Sequence, residues 1–322
     1  MGIFAPTPSK GGSAYSREDF IRRSRTNFFE AYCLEHKVIG DHYSDMWTAK
    51  NRKSKDLCGV KIMKKAILNQ HLINLDTLAD DLEVLIKLDS PNVIKVHEII
   101  EDEYKLYIVT EPILGESLLF HILKTPIKDI SERLLAEWIR QVLTGLNYCH
   151  SMKVIHKDVR PDYIMLADKD GKVVKLTDFG MSKFETVNEI SSFVYRSAEV
   201  LETNKYDEKS DIWSCGIMCY LLLSGNFPYP ETNSLNELIE YIKDKVFTIE
   251  SFNIPTWSHV SREAKSFVLR MLAKHPEDRP SAVELLQDPW LRNAKSVFVR
   301  TKVAQKYLHN LKDNAVIVKI VI

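Results

Sequence analysis

The stretch Val154–Leu166 reads V-I-H-K-D-V-R-P-D-Y-I-M-L and decides how the rest of the chain is interpreted. Its two ends are apolar, and its polar centre places one acid, Asp158, between two bases. Apolar runs on both sides of a polar segment predict a loop held between two buried anchors. We therefore expect Asp158 to be presented for a chemical role.

Two further patterns stand at informative distances from this loop. The tripeptide Asp178-Phe179-Gly180 follows about twenty residues later, directly after a predicted hairpin of residues 165–167 and 173–176. Upstream, the strand pattern Leu57–Ile62 places Lys61 between apolar neighbours. A lone lysine in a strand is more often a solvated residue, so its position alone assigns it no function.

Taken jointly, these patterns resemble the motifs of the protein kinases. The loop resembles H-R-D-L-x-x-x-N, Asp178-Phe179-Gly180 matches D-F-G, and Cys58–Lys61 resembles the V-A-I-K strand. Downstream, residues 197–199, 211–216 and 278–282 resemble further C-lobe markers of the family. The resemblance implies an α+β, bilobal protein kinase fold with a small β-rich N-lobe and a larger helical C-lobe.

The resemblance also predicts the domain organisation. We expect a partly disordered N-terminal extension over residues 1–31 and a protein kinase domain over residues 32–291. Within that domain the N-lobe covers 32–111 and the C-lobe 112–291, and residues 292–322 form a junction-like tail. Within the kinases, residues 88–92, 107–111, 148–151 and 288–291 resemble the calcium/calmodulin-dependent and calcium-dependent group. No calcium-binding loops follow residue 291, so we expect calcium not to be bound by this chain.

The resemblance implies ATP and Mg²⁺ as cofactors and assigns roles to individual residues. Lys61 would bind the α- and β-phosphates, Asp158 would orient the substrate hydroxyl as base, and Asp178 would bind magnesium. Arg160 occupies the position of a lysine beside the γ-phosphate and belongs to the catalytic set. The other residues expected around the nucleotide are Ile39, Gly40, Trp47, Thr110, Glu111, Ile113 and Asp81, the last as carboxylate partner of Lys61.

Three departures from the family pattern leave two functional hypotheses. His42 and Asp45 replace two glycines of the phosphate loop, Asp81 replaces a glutamate, and Tyr163 replaces the asparagine that holds a second magnesium. A phenol is a poor neutral ligand for a hard cation and is larger than an amide. The chain is therefore either a serine/threonine kinase with weakened activity or a pseudokinase that binds nucleotide and acts as a scaffold or allosteric partner.

Several secondary predictions accompany this assignment. Strands are expected at residues 93–96 and 106–109, and an amphipathic helix is expected over residues 134–150. The hydrophobic spine of the family would contain Leu85, Val96, His156 and Phe179, while Glu199 and Arg279 would form an ion pair.

Composition narrows the possible classes of protein. The formal net charge is zero, which argues against nucleic acid as a partner and leaves ATP and a protein substrate or protein partner. No apolar run approaches the ~20 residues of a membrane span. The five cysteines lack metal-ligand spacing, so we expect small core residues in a reducing compartment and a cytoplasmic location. Myristoylation after Met1-Gly2 is disfavoured because Pro6 stands where Ser or Thr is required.

Overall fold

An antiparallel sheet of five strands forms the N-terminal part of the chain. The computed structural model describes residues 21–22, 27–40, 44–70, 84–113, 115–125, 130–168, 171–179, 193–230, 232 and 234–293. The strands are β2 Tyr32–Gly40, β3 Ser44–Asn51, β4 Leu57–Lys64, β5 Val96–Glu101 and β6 Lys105–Thr110. A two-residue strand, β1 Ile21–Arg22, pairs in parallel with β5, which gives the order β1-β5-β6-β4-β3-β2.

Side chains of the central strand β4 point to both faces of this sheet, and the two faces have different surroundings. Successive residues of a strand point to opposite faces, so Val60 and Lys61 leave β4 in opposite directions. Val60 is buried among apolar side chains, whereas Lys61 points to the face that meets the C-terminal part of the chain. The alternation of side chains in β4 therefore places the buried ammonium of Lys61 at the boundary between the N-terminal and C-terminal parts of the chain.

The face that carries Val60 is closed by helix α1, Phe28–Ala31. Asn27 caps α1, its side chain accepting a hydrogen bond from the Phe29 N–H at 3.1 Å. Phe28 is fully buried and stacks on Tyr107 at 4.2 Å between ring centroids. We call the buried residues of this face the outer-face cluster: Phe28, Tyr32, Ala49, Cys58, Val60, Ile62, Ile100, Tyr107 and Val109.

Helices form most of the described structure from residue 118 onward. The longest is α4, Glu132–Ser151, which begins where Ser131 accepts a hydrogen bond from the Leu134 N–H at 3.1 Å. Its apolar stripe, predicted for residues 134–150, is buried as expected. The other helices are α2 Lys65–Gln70, α3 Leu118–Lys124, α5 Ala198–Thr203, α6 Glu208–Ser224, α7 Leu235–Asp244, α8 Arg262–Met271, α9 Ala282–Leu285 and α10 Pro289–Asn293.

The short hairpin of β7 (Ile164–Leu166) and β8 (Val174–Leu176) lies against α4. Gly171 adopts φ +67° in the turn, a left-handed conformation that side chains other than glycine rarely adopt. The Trp138 indole of α4 donates to the Gly171 carbonyl at 2.8 Å and anchors the turn. The hairpin therefore holds the chain between the Val154–Leu166 loop and Asp178 in a fixed path.

The structure confirms the α+β class, with a β-rich N-terminal part and a larger helical C-terminal part. The prediction of a strand at residues 93–96 is wrong in its position, because β5 begins only at Val96. Residues just before Val96 bond to β8 instead: the Ile94 N–H donates to Leu176 O, and the Leu176 N–H donates to Asn92 O, both at 2.9 Å. The apolar run thus joins the sheet to the hairpin.

The expectations for the cysteines and for the helix before Leu88 are met or described only in part. Four cysteines are buried, but Cys33 is exposed and is not the core residue we expected. The helix expected before Leu88 lies largely outside the described residues, which include only its last turn at residues 84–87. Across the described ranges, no helix is both long and apolar enough to cross a bilayer.

Candidate active site

The loop that carries Asp158 is held by one carboxylate from helix α6. Asp211 accepts hydrogen bonds from the backbone N–H groups of His156 and Lys157, each at 2.8 Å, and contacts the ring of His150 at 2.9 Å. Lys157 adopts φ +72°, a strained conformation for a side chain other than glycine. Because Asp211 binds both amides around this turn, it fixes the backbone that presents Asp158.

His156 supports Asp158 from within the core. The Asp158 N–H donates to Nδ1 of His156 at 3.2 Å, so Nδ1 carries no proton. Burial lowers the pKa of His156 and outweighs the Asp211 and Asp178 carboxylates, which act in the opposite direction. The neutral ring packs on Phe179 at 4.4 Å between centroids. This contact, with Leu85 and Val96 buried in the same core, agrees with the predicted spine.

Lys61 and Asp178 form an ion pair between the sheet and the C-terminal part. The Lys61 ammonium contacts Oδ1 of Asp178, with side chains 8% and 14% exposed. Asp178 adopts φ +61°, a left-handed conformation that is uncommon for residues other than glycine. Two residues separated by 117 positions in the chain are thus brought together, whereas the sequence predicted Asp81 as the carboxylate partner of Lys61.

Asp178 is also connected to the residue in the asparagine position. The Thr177 hydroxyl contacts Oδ2 of Asp178 at 2.9 Å and the carbonyl oxygen of Tyr163 at 3.1 Å. The Thr177 N–H donates to that same carbonyl at 2.9 Å. The turn Pro161–Tyr163 is therefore bonded to the residue that precedes Asp178.

Arg160 lies between two aromatic rings. Its guanidinium carbon is 5.1 Å from the centroid of Tyr163 and 5.7 Å from that of Tyr195, and its Nε donates to Asp162 at 3.0 Å. The side chain is only 10% exposed. Asp162, which could have received basic groups of a substrate, is thus engaged by Arg160.

The segment that joins the two parts contains the predicted hinge residues. The Glu111 side chain accepts from the Lys95 N–H at 2.8 Å and pairs with Lys175 at 2.7 Å. The Thr110 hydroxyl donates to the Glu111 carbonyl at 2.9 Å, and Ile113 is half-buried nearby in the chain. A Cβ on Gly59 would lie 2.6 Å from that hydroxyl, so glycine keeps the bond possible.

The other predicted nucleotide contacts divide into two groups. Ile39 and Gly40 end strand β2, where they pair in register with Met46 and Asp45. Trp47 packs against the outer-face cluster, and its register partner is Val60, not Lys61. The structure therefore does not bring Trp47 to the face that carries Lys61, because paired residues share a face and Lys61 pairs with Met46.

Of the three departures from the family pattern, the one in the phosphate loop is located only in part, and the one at Asp81 is not located. Asp45 forms an ion pair with Lys37 at 2.6 Å, which offsets the negative charge that we expected beside the phosphates. His42 and Asp81 lie outside the described residues, so the predicted pairing of Lys61 with Asp81 stays a prediction.

The predicted ion pair between Glu199 and Arg279 is present. Both guanidinium NH₂ groups bond to the carboxylate, at 2.5 and 3.0 Å, and the Arg279 side chain is fully buried. Burial acts to raise the pKa of Glu199, but the hydrogen bonds from Arg279 outweigh it and lower that pKa. The pair ties helix α5 to the segment before α9.

Comparisons with known proteins identify this arrangement. The sequence pattern of the protein kinase domain matches residues 35–291, and the chain belongs to that family. It is 30% identical to the human SNF-related serine/threonine-protein kinase over 272 residues, 81% of this chain and 33% of that protein. It is 29% identical to calcium-dependent protein kinase 3 of Plasmodium berghei over 317 residues, 95% of this chain and 55% of that protein. The chain therefore spans between a third and just over half of these relatives' length.

Membership of the family implies use of ATP and usually Mg²⁺, and the described residues fit one metal ion. Mg²⁺ is commonly bound by one or two carboxylates together with substrate phosphates, and Asp178 supplies such a carboxylate. No cluster of three or more His, Cys, Asp or Glu side chains suited to a metal occurs within the described ranges. The protein side of the site therefore offers Asp178, with the remaining ligands left to phosphate and water.

Reasoning from sequence missed three residues that build the site. Asp211 was noticed only as part of a motif, because an acid in the first turn of a helix is common and does not by itself indicate a buried role. Thr177 precedes D-F-G and has no pattern of its own. Tyr195 lies in the segment after D-F-G, and only its three-dimensional contact with Arg160 reveals it.

Proposed function

We propose that this chain is a protein serine/threonine kinase that transfers the γ-phosphate of ATP to hydroxyl groups of proteins, with activity weakened by its departures from the family pattern. The observation that carries the proposal is the Lys61–Asp178 ion pair beside a loop that holds Asp158. The kinases named among its relatives support the same reaction class.

Each polar residue of the site has a role in this reaction. Lys61 would leave Asp178 when ATP binds and neutralise the α- and β-phosphates. Asp158 would orient the substrate hydroxyl and accept its proton, and Arg160 would neutralise charge at the γ-phosphate. Asp178 would hold Mg²⁺, which neutralises the phosphate oxygens when bound. We propose Asp81 as the partner that Lys61 takes after it leaves Asp178.

Binding of the adenine and ribose would use the hinge and the end of β2. Backbone groups of Glu111 and Ile113 are the proposed adenine contacts, with Thr110 at the back of the cleft and Ile39 and Gly40 above it. The Glu111 carbonyl accepts one bond from the Thr110 hydroxyl and keeps a second lone pair for an adenine amino group.

Phosphate transfer to a generic basic peptide, measured with radiolabelled ATP, tests the proposal. Asp158→Asn is the matched control because it keeps the size of the side chain and removes the base. We expect transfer by the unchanged protein at least tenfold above this variant, in line with the contribution of a general base. Equal signals from the two proteins would refute kinase activity.

One observation favours a pseudokinase as the second candidate. Tyr163 occupies the asparagine position, and its ring contacts Arg160. Its side chain has no amide oxygen that could bind a metal ion. In that case ATP binding would persist without transfer, and the chain would act as a scaffold or allosteric partner. Thermal shift with ATP, with and without Mg²⁺, combined with the transfer assay separates the two functions.

The remaining proposals concern domain limits and surroundings. We propose a kinase domain over residues 32–291, with its N-lobe over 32–111 and C-lobe over 112–291, between an N-terminal extension and a tail over residues 292–322. Protein substrates in the cytoplasm are the proposed partners. Neither nucleic acid nor calcium bound by this chain forms part of the proposal.

A further inference from the structure

Tyr163 occupies the position of the catalytic-loop asparagine, which affects how many divalent cations the site can hold. In the family pattern the asparagine helps to hold a second divalent cation. Tyr163 cannot replace it in that role, because a neutral phenol is a poor ligand for a hard cation. The described residues near Asp178 therefore provide for one metal ion and do not fit a second.

The protein itself holds a cation against the residue that replaces the asparagine. The guanidinium of Arg160 lies over the ring of Tyr163 at 5.1 Å and over that of Tyr195 at 5.7 Å. Both distances are within the ≈ 6 Å range of a cation–π interaction, which is stronger when the cation is shielded from water. With its side chain 10% exposed, Arg160 meets that condition.

Each part of this arrangement is fixed by a separate contact. The Tyr163 carbonyl is bonded to Thr177, whose hydroxyl contacts Asp178. The Tyr195 carbonyl accepts from Ser214 of helix α6 at 2.8 Å, and its ring packs on Phe227 at 5.5 Å. The backbone of Tyr163 is therefore anchored to the segment of Asp178, and Tyr195 is anchored to the helical core by its backbone and its ring.

Arginine suits this place better than lysine. Its planar guanidinium stacks on aromatic faces and always carries its charge, whereas a lysine ammonium does not stack. Nε bonds to Asp162 at 3.0 Å, which sets the orientation of the plane.

We propose that the guanidinium of Arg160, held between Tyr163 and Tyr195, takes the place of the second divalent cation, so that this site binds one divalent cation per nucleotide. Tyr163 and Tyr195 are positioning residues in this arrangement. The inference rests on the proposed function only in requiring that the cleft binds ATP.

Counting bound metal tests the inference without turnover. Mn²⁺ is titrated into the protein saturated with a non-hydrolysable ATP analogue, and free Mn²⁺ is measured by electron paramagnetic resonance. We expect one bound Mn²⁺ per protein–analogue complex. Tyr163→Asn should bind two, and the matched control Tyr163→Phe should bind one because it keeps the ring. Two ions in the unchanged protein, or one in Tyr163→Asn, would overturn the inference.

A second measurement tests the charge of Arg160 itself. In the presence of Mn²⁺, Arg160→Met should weaken binding of the analogue about tenfold or more, as expected when a charged hydrogen-bonding group is lost. The same change in the Tyr163→Asn background should weaken binding of the analogue clearly less, because the second Mn²⁺ then supplies the positive charge. A purely structural role would give equal losses in both backgrounds, and that result would contradict the inference.

These measurements separate failure of the inference from failure of the proposed function. One Mn²⁺ bound together with an absence of phosphate transfer would refute kinase activity and leave the inference standing. Phosphate transfer together with two bound Mn²⁺ would refute the inference and leave the proposed kinase activity standing. A chain that binds no analogue at all would refute both.

Discussion

Among single residues, Glu199 forms a contact whose loss has a direct consequence for stability. Its carboxylate binds both NH₂ groups of Arg279, a side chain with no solvent exposure. We predict that Glu199→Gln lowers the free energy of unfolding by about 2–3 kcal/mol. This is below the range for a fully buried pair because the carboxylate is 25% exposed. Urea denaturation at pH 7 measures the change, with the exposed Glu202→Gln on the same helix as the matched control.

The pH dependence of this effect follows from the lowered pKa of Glu199. A carboxyl with a lowered folded-state pKa contributes fully above its ordinary value of 4.5 and loses that contribution as pH falls through the folded-state pKa. The stability difference between the unchanged protein and Glu199→Gln should therefore shrink over the acid interval as the pH is lowered from about 4.5. A difference that stays constant over this interval would show that the carboxylate charge is not the cause.

Some residues of the site could be predicted from the sequence, and others could not. The ion pair of Glu199 and the charged residues Lys61 and Asp178 were predictable, because motif spacing marks them. The engagement of Arg160 by Tyr163 and Tyr195 was not, since it depends on contacts between loop segments that no periodicity encodes. The face of Trp47 was also missed, because one position of register decides which side of a sheet a residue occupies.

At the scale of elements, helix α6 holds the Val154–Leu166 loop through Asp211. Asp211→Asn keeps the shape of the side chain but must turn an NH₂ group toward at least one of the N–H donors at His156, Lys157 or His150. We predict a loss of about 2–4 kcal/mol in unfolding free energy, in the range for breaking a buried charged network. Phosphate transfer should fall about 100-fold, since small misplacements of a catalytic group have effects of that size.

The same helix offers a matched control for this prediction. Asp207 caps α6, its side chain accepting from the Ser210 N–H at 2.8 Å. Asparagine is as good an N-cap as aspartate, so Asp207→Asn should change stability by less than about 0.5 kcal/mol. Thermal denaturation and the transfer assay on both variants make the comparison. If the two variants behaved alike, the bonds from Asp211 to the loop would not be what positions Asp158.

Elements differ in how well the sequence predicted them. Helix α4 was located closely because its apolar stripe is long and regular. Strand β5 was placed too early because the apolar run at Val93 and Ile94 looks like a strand, while in the structure it bonds to β8. Short apolar runs leave such alternatives open, and tertiary hydrogen bonds decide between them.

For the whole molecule, the division of the core into two clusters has a measurable consequence. The outer-face cluster lies on one side of the sheet, while the main core contains the other face and the helical part. Helix α1, which closes the outer-face cluster, precedes the residues that match the protein kinase domain, 35–291. The stability of the sheet therefore depends on a segment outside the matched region.

We predict that Phe28→Ala destabilises the sheet by about 3–5 kcal/mol, the usual cost of removing a buried phenylalanine side chain. Phe28 is fully buried and stacks on Tyr32 at 5.2 Å and on Tyr107 at 4.2 Å between centroids. Phe29→Ala is the matched control, because the neighbouring ring is 43% exposed and its loss should cost less than about 1 kcal/mol. Amide hydrogen exchange distinguishes local from global loosening.

In Phe28→Ala, the amides of β4 and β6 should exchange faster while those of α4 keep their protection, since α4 belongs to the main core. The Lys61–Asp178 pair joins the two parts, so faster exchange in β4 should be accompanied by weaker binding of ATP. Equal acceleration in β4 and α4 would instead mean that the two clusters unfold as one unit. In that case residues 27–31 would stabilise the entire kinase domain, and a chain beginning at residue 32 would lose stability in both parts alike.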